Sequence, residues 1–215
     1  MSKQKKILAT SLWAMAVLMM VGIIATLSEI KSHQAVANVT GPMAGGQDQP
    51  PMPEFDVAPF SMTNQLGQTV TNTDLKGHVW IAAFIFTRCT QLCPMMAVEL
   101  STLQQKITNP SVKLVSFSVD PKYDTPAVLK AYGQQHNADP DRWWLVTGDA
   151  TTIGNVATSL KLGVALGEKP GQLTHSDKFV LIGPDGKSRG IYNGTDDIEI
   201  NRLARDAEKL AAGTP

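Results

Sequence analysis

Apolar and polar positions divide the chain into three regimes. From Ile7 to Leu27 every residue is apolar, small or uncharged. At 1.5 Å per residue such a helix reaches roughly 30 Å, about one hydrocarbon core. Residues 7–27 are therefore expected to form a transmembrane anchor. The three lysines of Met1–Lys6 hold residues 1–6 in the cytoplasm and send the remainder across. A cleaved signal peptide ending at Ala35-Val36-Ala37 is the alternative. The apolar run is long for that, and polar residues separate it from the alanines, so an uncleaved anchor is preferred. Between residues 28 and 53 large apolar side chains nearly vanish, while Gly41, Pro42, Gly45, Gly46, Pro50, Pro51 and Pro53 accumulate. That composition predicts a flexible linker.

From residue 54 onward, short apolar runs alternate with stretches of helical spacing. Phe55–Phe60 and Thr69–Val70 read as short strands around a turn at Asn64–Gly67, and Thr73–Gly77 as a turn of helix ending at glycine. Val79–Phe86, without a charge, reads as a buried strand. Pro94 suits the first turn of a helix, and Met96, Leu100, Leu103 and Ile107 fall on one face of it. Val112–Val119 and Trp143–Thr147 read as further strands. Asp124-Thr125-Pro126 reads as a cap and first turn of a helix running to His136, with Asp124 as the capping residue. Another helix is expected from Thr151 to Lys161. Gly183–Gly186 predicts a hairpin between Lys178–Ile182 and Ser188–Tyr192, and Thr195 or Asp196 caps a final helix. Strands alternating with helices and closing on a hairpin make an α/β domain over residues 54–215: a mixed sheet flanked by helices. With cysteines between a strand and its helix, this is a thioredoxin-like plan.

Composition narrows the function. The 215 residues are 43% hydrophobic, enough for one sizeable core, and the 19 basic residues balance the 19 acidic ones. Without a basic field, nucleic-acid binding is set aside. Two cysteines are too few for a disulfide scaffold.

Those two, Cys89 and Cys93, sit between the buried strand and its helix. A helix N-terminus favours thiolate, the form that attacks disulfides and binds soft metals. The pair alone does not separate redox work from metal binding, and a disulfide between them restrains little of the unfolded chain. His175 lies in the loop entering the strand at Lys178. In a thioredoxin-like sheet that loop passes over the cysteines, giving two thiolates and one imidazole. Such a set suits copper(I) and, with an added ligand, copper(II). His78, His136 and His33 read as structural or idle. Met95 and Met96 read as packing, and Met43 and Met52 as linker residues.

Phe86-Thr87-Arg88-Cys89-Thr90-Gln91-Leu92-Cys93-Pro94, then Ser118-Val119-Asp120-Pro121-Lys122-Tyr123-Asp124-Thr125-Pro126, then Leu173-Thr174-His175-Ser176 resembles the SCO/SenC family. The match runs in order over about Phe55 to Ala211, and the N-terminal anchor resembles that family as well. The resemblance implies a thioredoxin-like fold and copper as cofactor, bound by Cys89, Cys93 and His175. It also implies work in assembling the dinuclear copper centre of cytochrome c oxidase. The oxidase's copper-binding subunit, or another periplasmic copper acceptor, is then the partner, met on the extracytoplasmic side of the inner membrane. Many family members carry proline and an acidic residue where this chain has Thr90 and Gln91, which makes the site less negative. Asp120, at the end of a strand, is expected beside the ligands rather than among them.

Two enzymatic readings stand beside the carrier. A thiol–disulfide oxidoreductase would cycle Cys89 and Cys93 between dithiol and disulfide, keeping an acceptor's cysteines reduced. A peroxidase on the same fold would need a threonine set further from its reactive cysteine, after a proline. Thr87 is one residue too close and no proline precedes it.

Overall fold

The computed structural model describes residues 54–90, 92–166 and 173–213. The expected anchor (7–27), the linker (28–53, with His33, Met43 and Met52) and Gln91 lie outside the described residues. Among the described residues no helix is long and apolar enough to cross a membrane.

The strands are β1 (Ser61–Asn64), β2 (Thr69–Thr71), β3 (Trp80–Ile85), β4 (Lys113–Ser118), β5 (Trp143–Thr147), β6 (Lys178–Ile182) and β7 (Ser188–Asn193). The helices are α1 (Leu92–Lys106), α2 (Pro126–Gln135), α3 (Ala150–Ser159) and α4 (Asp197–Ala211). The strands form one mixed sheet in the order β2-β1-β5-β4-β3-β6-β7. β3, β4 and β5 run parallel, whereas β1 and β6 join them antiparallel.

The uncharged sequence of β3 explains its central place, because no side chain in it needs water and none is more than 1% exposed. Alternate residues feed two cores. Ile81, Ala83 and Ile85 meet Met96, Leu100 and Leu103 of α1, Leu129 of α2 and Leu203 of α4. Trp80, Ala82 and Phe84 meet Ile153, Val156 and Ala157 of α3, with Phe60, Met62 and Val70 from the first hairpin. Each large side chain so buried contributes about 1.5–3 kcal/mol. Helices therefore cover both faces, as the sequence pattern predicts.

Local signals set the helix ends. Thr125 caps α2 by accepting from Val128 N, with Pro126 in the first turn. Asp149 caps α3 through Thr152 N, and Asp196 caps α4 through Ile198 N and Glu199 N. Asp124 is thus not the capping residue expected from sequence. It lies one residue too early and its carboxylate points into the protein. Pro94 falls in the first turn of α1 as expected, but as its third residue, so Cys93 already belongs to the helix.

The first strand also differs from expectation. Phe55–Phe60 is not a strand; Asp56 makes one isolated bridge to Lys187, and the first ladder begins at Ser61. Pro59 has no N–H to give a ladder. The neighbouring amides go elsewhere: Phe55 N to Ser188 Oγ, Ala58 N to Ser159 Oγ and Phe60 N to Asn72 Oδ1. At the β6–β7 turn, Gly186 has φ +82°, a conformation open to glycine at little cost.

Candidate metal centre

Two strand registers bring the site together. β6 runs antiparallel to β3, with Trp80 opposite Ile182 and Ala82 opposite Val180. Each step up β3 is a step down β6, so the same register carried past the ladder sets His175 level with Thr87. β4 runs parallel to β3, with Trp80 opposite Lys113 and Ile85 opposite Ser118. Continued likewise, it sets Asp120 level with Thr87. Three loops distant in sequence therefore meet at the carboxyl end of β3, the end at which open α/β sheets bind ligands.

The sequence-predicted ligands converge there. One ligand atom each from Cys89, Cys93 and His175 all lie within 4.8 Å of one another. No other group of histidine, cysteine and carboxylate ligands of this kind occurs among the described residues. Cys93 is 1% exposed, in the first turn of α1, while Cys89 is half-buried in the preceding turn, its N–H donating to Phe86 O at 3.1 Å. No disulfide joins Cys89 and Cys93.

His175 arrives on a segment tied down from both sides. Thr174 exchanges two backbone hydrogen bonds with Ala165, and β6 begins at Lys178. The ring nitrogen Nδ1 lies 2.9 Å from Ser176 O. A carbonyl oxygen only accepts, so Nδ1 carries the proton and Nε2 keeps its lone pair. That lone pair faces Cys93 Sγ at 2.5 Å. A histidine held by a carbonyl through one nitrogen, with the other turned toward thiols, is arranged as metal ligands are. Burial holds its imidazole below the ordinary histidine range, against the opposing effects of Ser176 and Asp177, which favours the neutral, ligating form.

Phe86 touches the surroundings of all three ligands. Its carbonyl receives Cys89 N–H, its ring meets the His175 ring edge-on at 5.6 Å, and its backbone hydrogen bond favours the Cys93 thiolate. That hydrogen bond does not prevail. Burial pushes the Cys93 thiol far up, and the neighbouring Cys89 pushes it further. The thiolate expected from the helix N-terminus is thus corrected for Cys93: desolvation outweighs the dipole. A cation reverses that balance, since binding removes the proton outright.

Two carboxylates hold the cysteine turn from the side of β4. Asp120, 2% exposed, receives Arg88 Nε at 2.9 Å and Arg88 Nη2 at 2.5 Å on one oxygen. Asp124, fully buried, receives Thr87 N at 3.1 Å and Thr87 Oγ1 and Ser118 Oγ at 2.5 Å each. Asp120 therefore holds Arg88, the residue that precedes Cys89 in the chain. Sequence reasoning gave no role to Arg88 or Thr87. The signal that finds them is the parallel pairing of β3 and β4, which sets Thr87-Arg88 across from the acidic loop.

The remaining candidates lie elsewhere. Met96 packs in the core under β3 as expected, whereas Met95, also expected to pack, is 54% exposed. His78 Nδ1 lies 3.0 Å from Ser111 O, and the His136 ring packs on Tyr132 at 4.5 Å. Two thiols and one imidazole form a soft donor set, the kind that selects copper(I) over hard cations.

The SCO1/SenC family model matches residues 49–212 of this chain. The chain belongs to the SCO1/SenC family. Among its relatives, the SCO1 protein homolog of Bacillus subtilis (strain 168) is 37% identical over 171 residues, which cover 78% of this chain and 89% of that protein. Among solved structures, BsSco superposes with a TM-score of 0.66 at 35% identity, covering 76% of this chain and 96% of that one. BsSco, a member of the Sco family of cytochrome c oxidase assembly proteins, carries a disulfide switch. ScoI of Bradyrhizobium japonicum, solved with copper bound, superposes with a TM-score of 0.61 at 28% identity, covering 72% and 99%. The mixed seven-stranded sheet is that of the thioredoxin-like Sco structures.

Proposed function

We propose that this SCO1/SenC protein is a copper carrier that helps assemble the dinuclear copper centre of cytochrome c oxidase. The observation that carries the proposal is the convergence of Cys89, Cys93 and His175 within 4.8 Å. The copper-bound relative from Bradyrhizobium japonicum and the oxidase-assembly role of the Sco family support it. Copper is the cargo. Cys89 and Cys93 each give up a proton to become thiolates, and His175 Nε2 supplies its lone pair. Cys89, the more exposed thiol, is the side from which an acceptor's own soft donor approaches, so the ion passes between ligands without release to water. We place the carrier domain outside the cytoplasmic membrane, tethered by residues 7–27. The uncharged run and the lysines before it support that topology.

Titration of the full-length reduced protein with copper(I) against a chromophoric chelator tests the proposal. Wild type binds one ion per chain, His175→Ala binds it far more weakly, and Cys93→Ser loses it. Equal affinity in wild type and His175→Ala removes the imidazole from the site and contradicts the proposal.

A second reading has its own observation. Two thiols in one site, in a chain related to a protein with a disulfide switch, support thiol–disulfide exchange with the acceptor. The dithiol would reduce the acceptor's disulfide and itself become the Cys89–Cys93 disulfide, two electrons and two protons passing across. Fast exchange by metal-free protein, undiminished in His175→Ala, favours this reading over copper carriage.

A further inference from the structure

The ligands of this site are not held alike. Cys93 is fixed within α1, and His175 is fixed by Ser176 O and by the Thr174–Ala165 bridge. Cys89 lies in a turn closed by its own N–H on Phe86 O at 3.1 Å, and the residues leading into that turn are anchored to the neighbouring loop. Those are Thr87, bonded to Asp124 through its amide and hydroxyl, and Arg88, forked onto Asp120. Arg88 also lies over the Tyr123 ring, with Cζ 4.2 Å from its centroid. Asp120 and Tyr123 belong to the loop after β4, so one arginine ties the cysteine turn to that loop twice. The guanidinium suits the task, because its planar fork fixes an orientation that a lysine's point charge does not. Asp120 is 2% exposed, whereas the Arg88 side chain is 29% exposed. The carboxylate is thus the fixed half of the pair and the arginine the half bound to it.

We infer that Arg88 is a positioning residue of the copper site. By pairing with Asp120 and stacking on Tyr123 it holds Cys89 at ligating distance from Cys93 and His175. The charge makeup of the turn agrees with this. Thr90 and Gln91 carry no charge, so the Asp120 carboxylate that balances Arg88 comes from the neighbouring loop. The inference rests on the copper reading of the site and adds to it the residue that keeps the three ligands in register. Loss of a partner that orients a ligand weakens metal binding by about 10–100-fold.

The test compares full-length wild type with Arg88→Lys and with the paired variant Arg88→Met, Asp120→Asn. The pair is changed together because removing arginine alone strands a buried carboxylate. Copper(I) affinity is read by chelator competition, metal-free unfolding by circular dichroism, and the copper(II) form by its sulfur-to-copper charge-transfer absorption. The paired variant is expected to bind copper(I) about 10–100-fold more weakly and to lose charge-transfer intensity as Cys89 drifts. Its unfolding temperature should change little, and Arg88→Lys should fall between the two proteins. Wild-type affinity and wild-type absorption in both variants overturn the inference. If the paired variant does not fold, Arg88→Lys decides alone: weakened copper binding supports the inference and wild-type affinity overturns it. His175→Ala separates the two layers. If it alone weakens copper binding, Arg88 has no positioning role; if it also binds as wild type does, the copper reading fails and this inference with it.

Discussion

Asp124 offers the sharpest contrast between sequence and structure, and Asp124→Ala exploits it. As a helix cap, Asp124 would contribute about 1 kcal/mol. Instead it is fully buried and receives three hydrogen bonds, from Thr87 N, Thr87 Oγ1 and Ser118 Oγ. Truncation leaves the Thr87 amide without an acceptor in the interior, at about 1–3 kcal/mol. The two hydroxyls can rotate toward other acceptors but lose charge-assisted bonds, so the total loss is about 2–5 kcal/mol. A domain of this size loses about 2–4 °C of melting temperature per kcal/mol, so a fall of roughly 4–20 °C is expected. Thr125→Ala, which removes the actual cap, should cost only about 1 kcal/mol. Thermal unfolding of the reduced, metal-free protein by circular dichroism measures both. Asp124→Ala melting no lower than Thr125→Ala would refute the reasoning. The pH dependence gives a second check. Burial holds the Asp124 carboxyl above the usual range despite its three donors. As pH rises from the ordinary carboxylate value toward the raised one, the unfolded chain ionises first. Stability therefore falls with rising pH across that window, and Asp124→Ala should abolish that part of the fall.

Other outcomes follow from the same geometry. Tyr132 is 8% exposed and its hydroxyl has no hydrogen-bond partner among the described residues, so Tyr132→Phe should leave metal-free stability unchanged or raise it by up to about 1–2 kcal/mol; a marked loss in chemical denaturation contradicts this. Iodoacetamide should modify Cys89 well before Cys93, because Cys93 is 1% exposed and burial keeps it a thiol; peptide mass spectrometry showing equal rates is the opposing result. Deleting residues 1–27 should move the protein from the membrane to the soluble fraction on cell fractionation, and a deletion product that still sediments with membranes argues against the anchor.

The strands were legible because burial on both faces demands uninterrupted apolar runs. Val79–Phe86, Trp143–Thr147 and Lys178–Ile182 announce themselves in that way, and the Gly183–Gly186 turn fixes the closing hairpin. Phe55–Phe60 misled because its apolar content resembles a strand, while Pro59 and the side-chain acceptors that satisfy its amides are long-range features. The convergence of Cys89, Cys93 and His175 was legible as candidate chemistry, the cysteines from local spacing and His175 from the fold plan, and the structure brings their side chains within 4.8 Å of one another. What the chain did not reveal is how the triad is held. Arg88 meets Asp120, and Thr87 meets Asp124, across 32 and 37 positions, and only the β3–β4 register brings them together. The protonated state of Cys93 was hidden for a related reason. A helix N-terminus can be read locally, but the desolvation that overrides it depends on the whole core around β3.

The most direct test of copper carriage by this triad is X-ray absorption spectroscopy of the copper(I)-loaded full-length protein. Two sulfur neighbours and one nitrogen neighbour per copper, with the nitrogen absent in His175→Ala, is the expected result. A nitrogen shell that persists in His175→Ala, or a sulfur count that does not fall in Cys93→Ser, would contradict it.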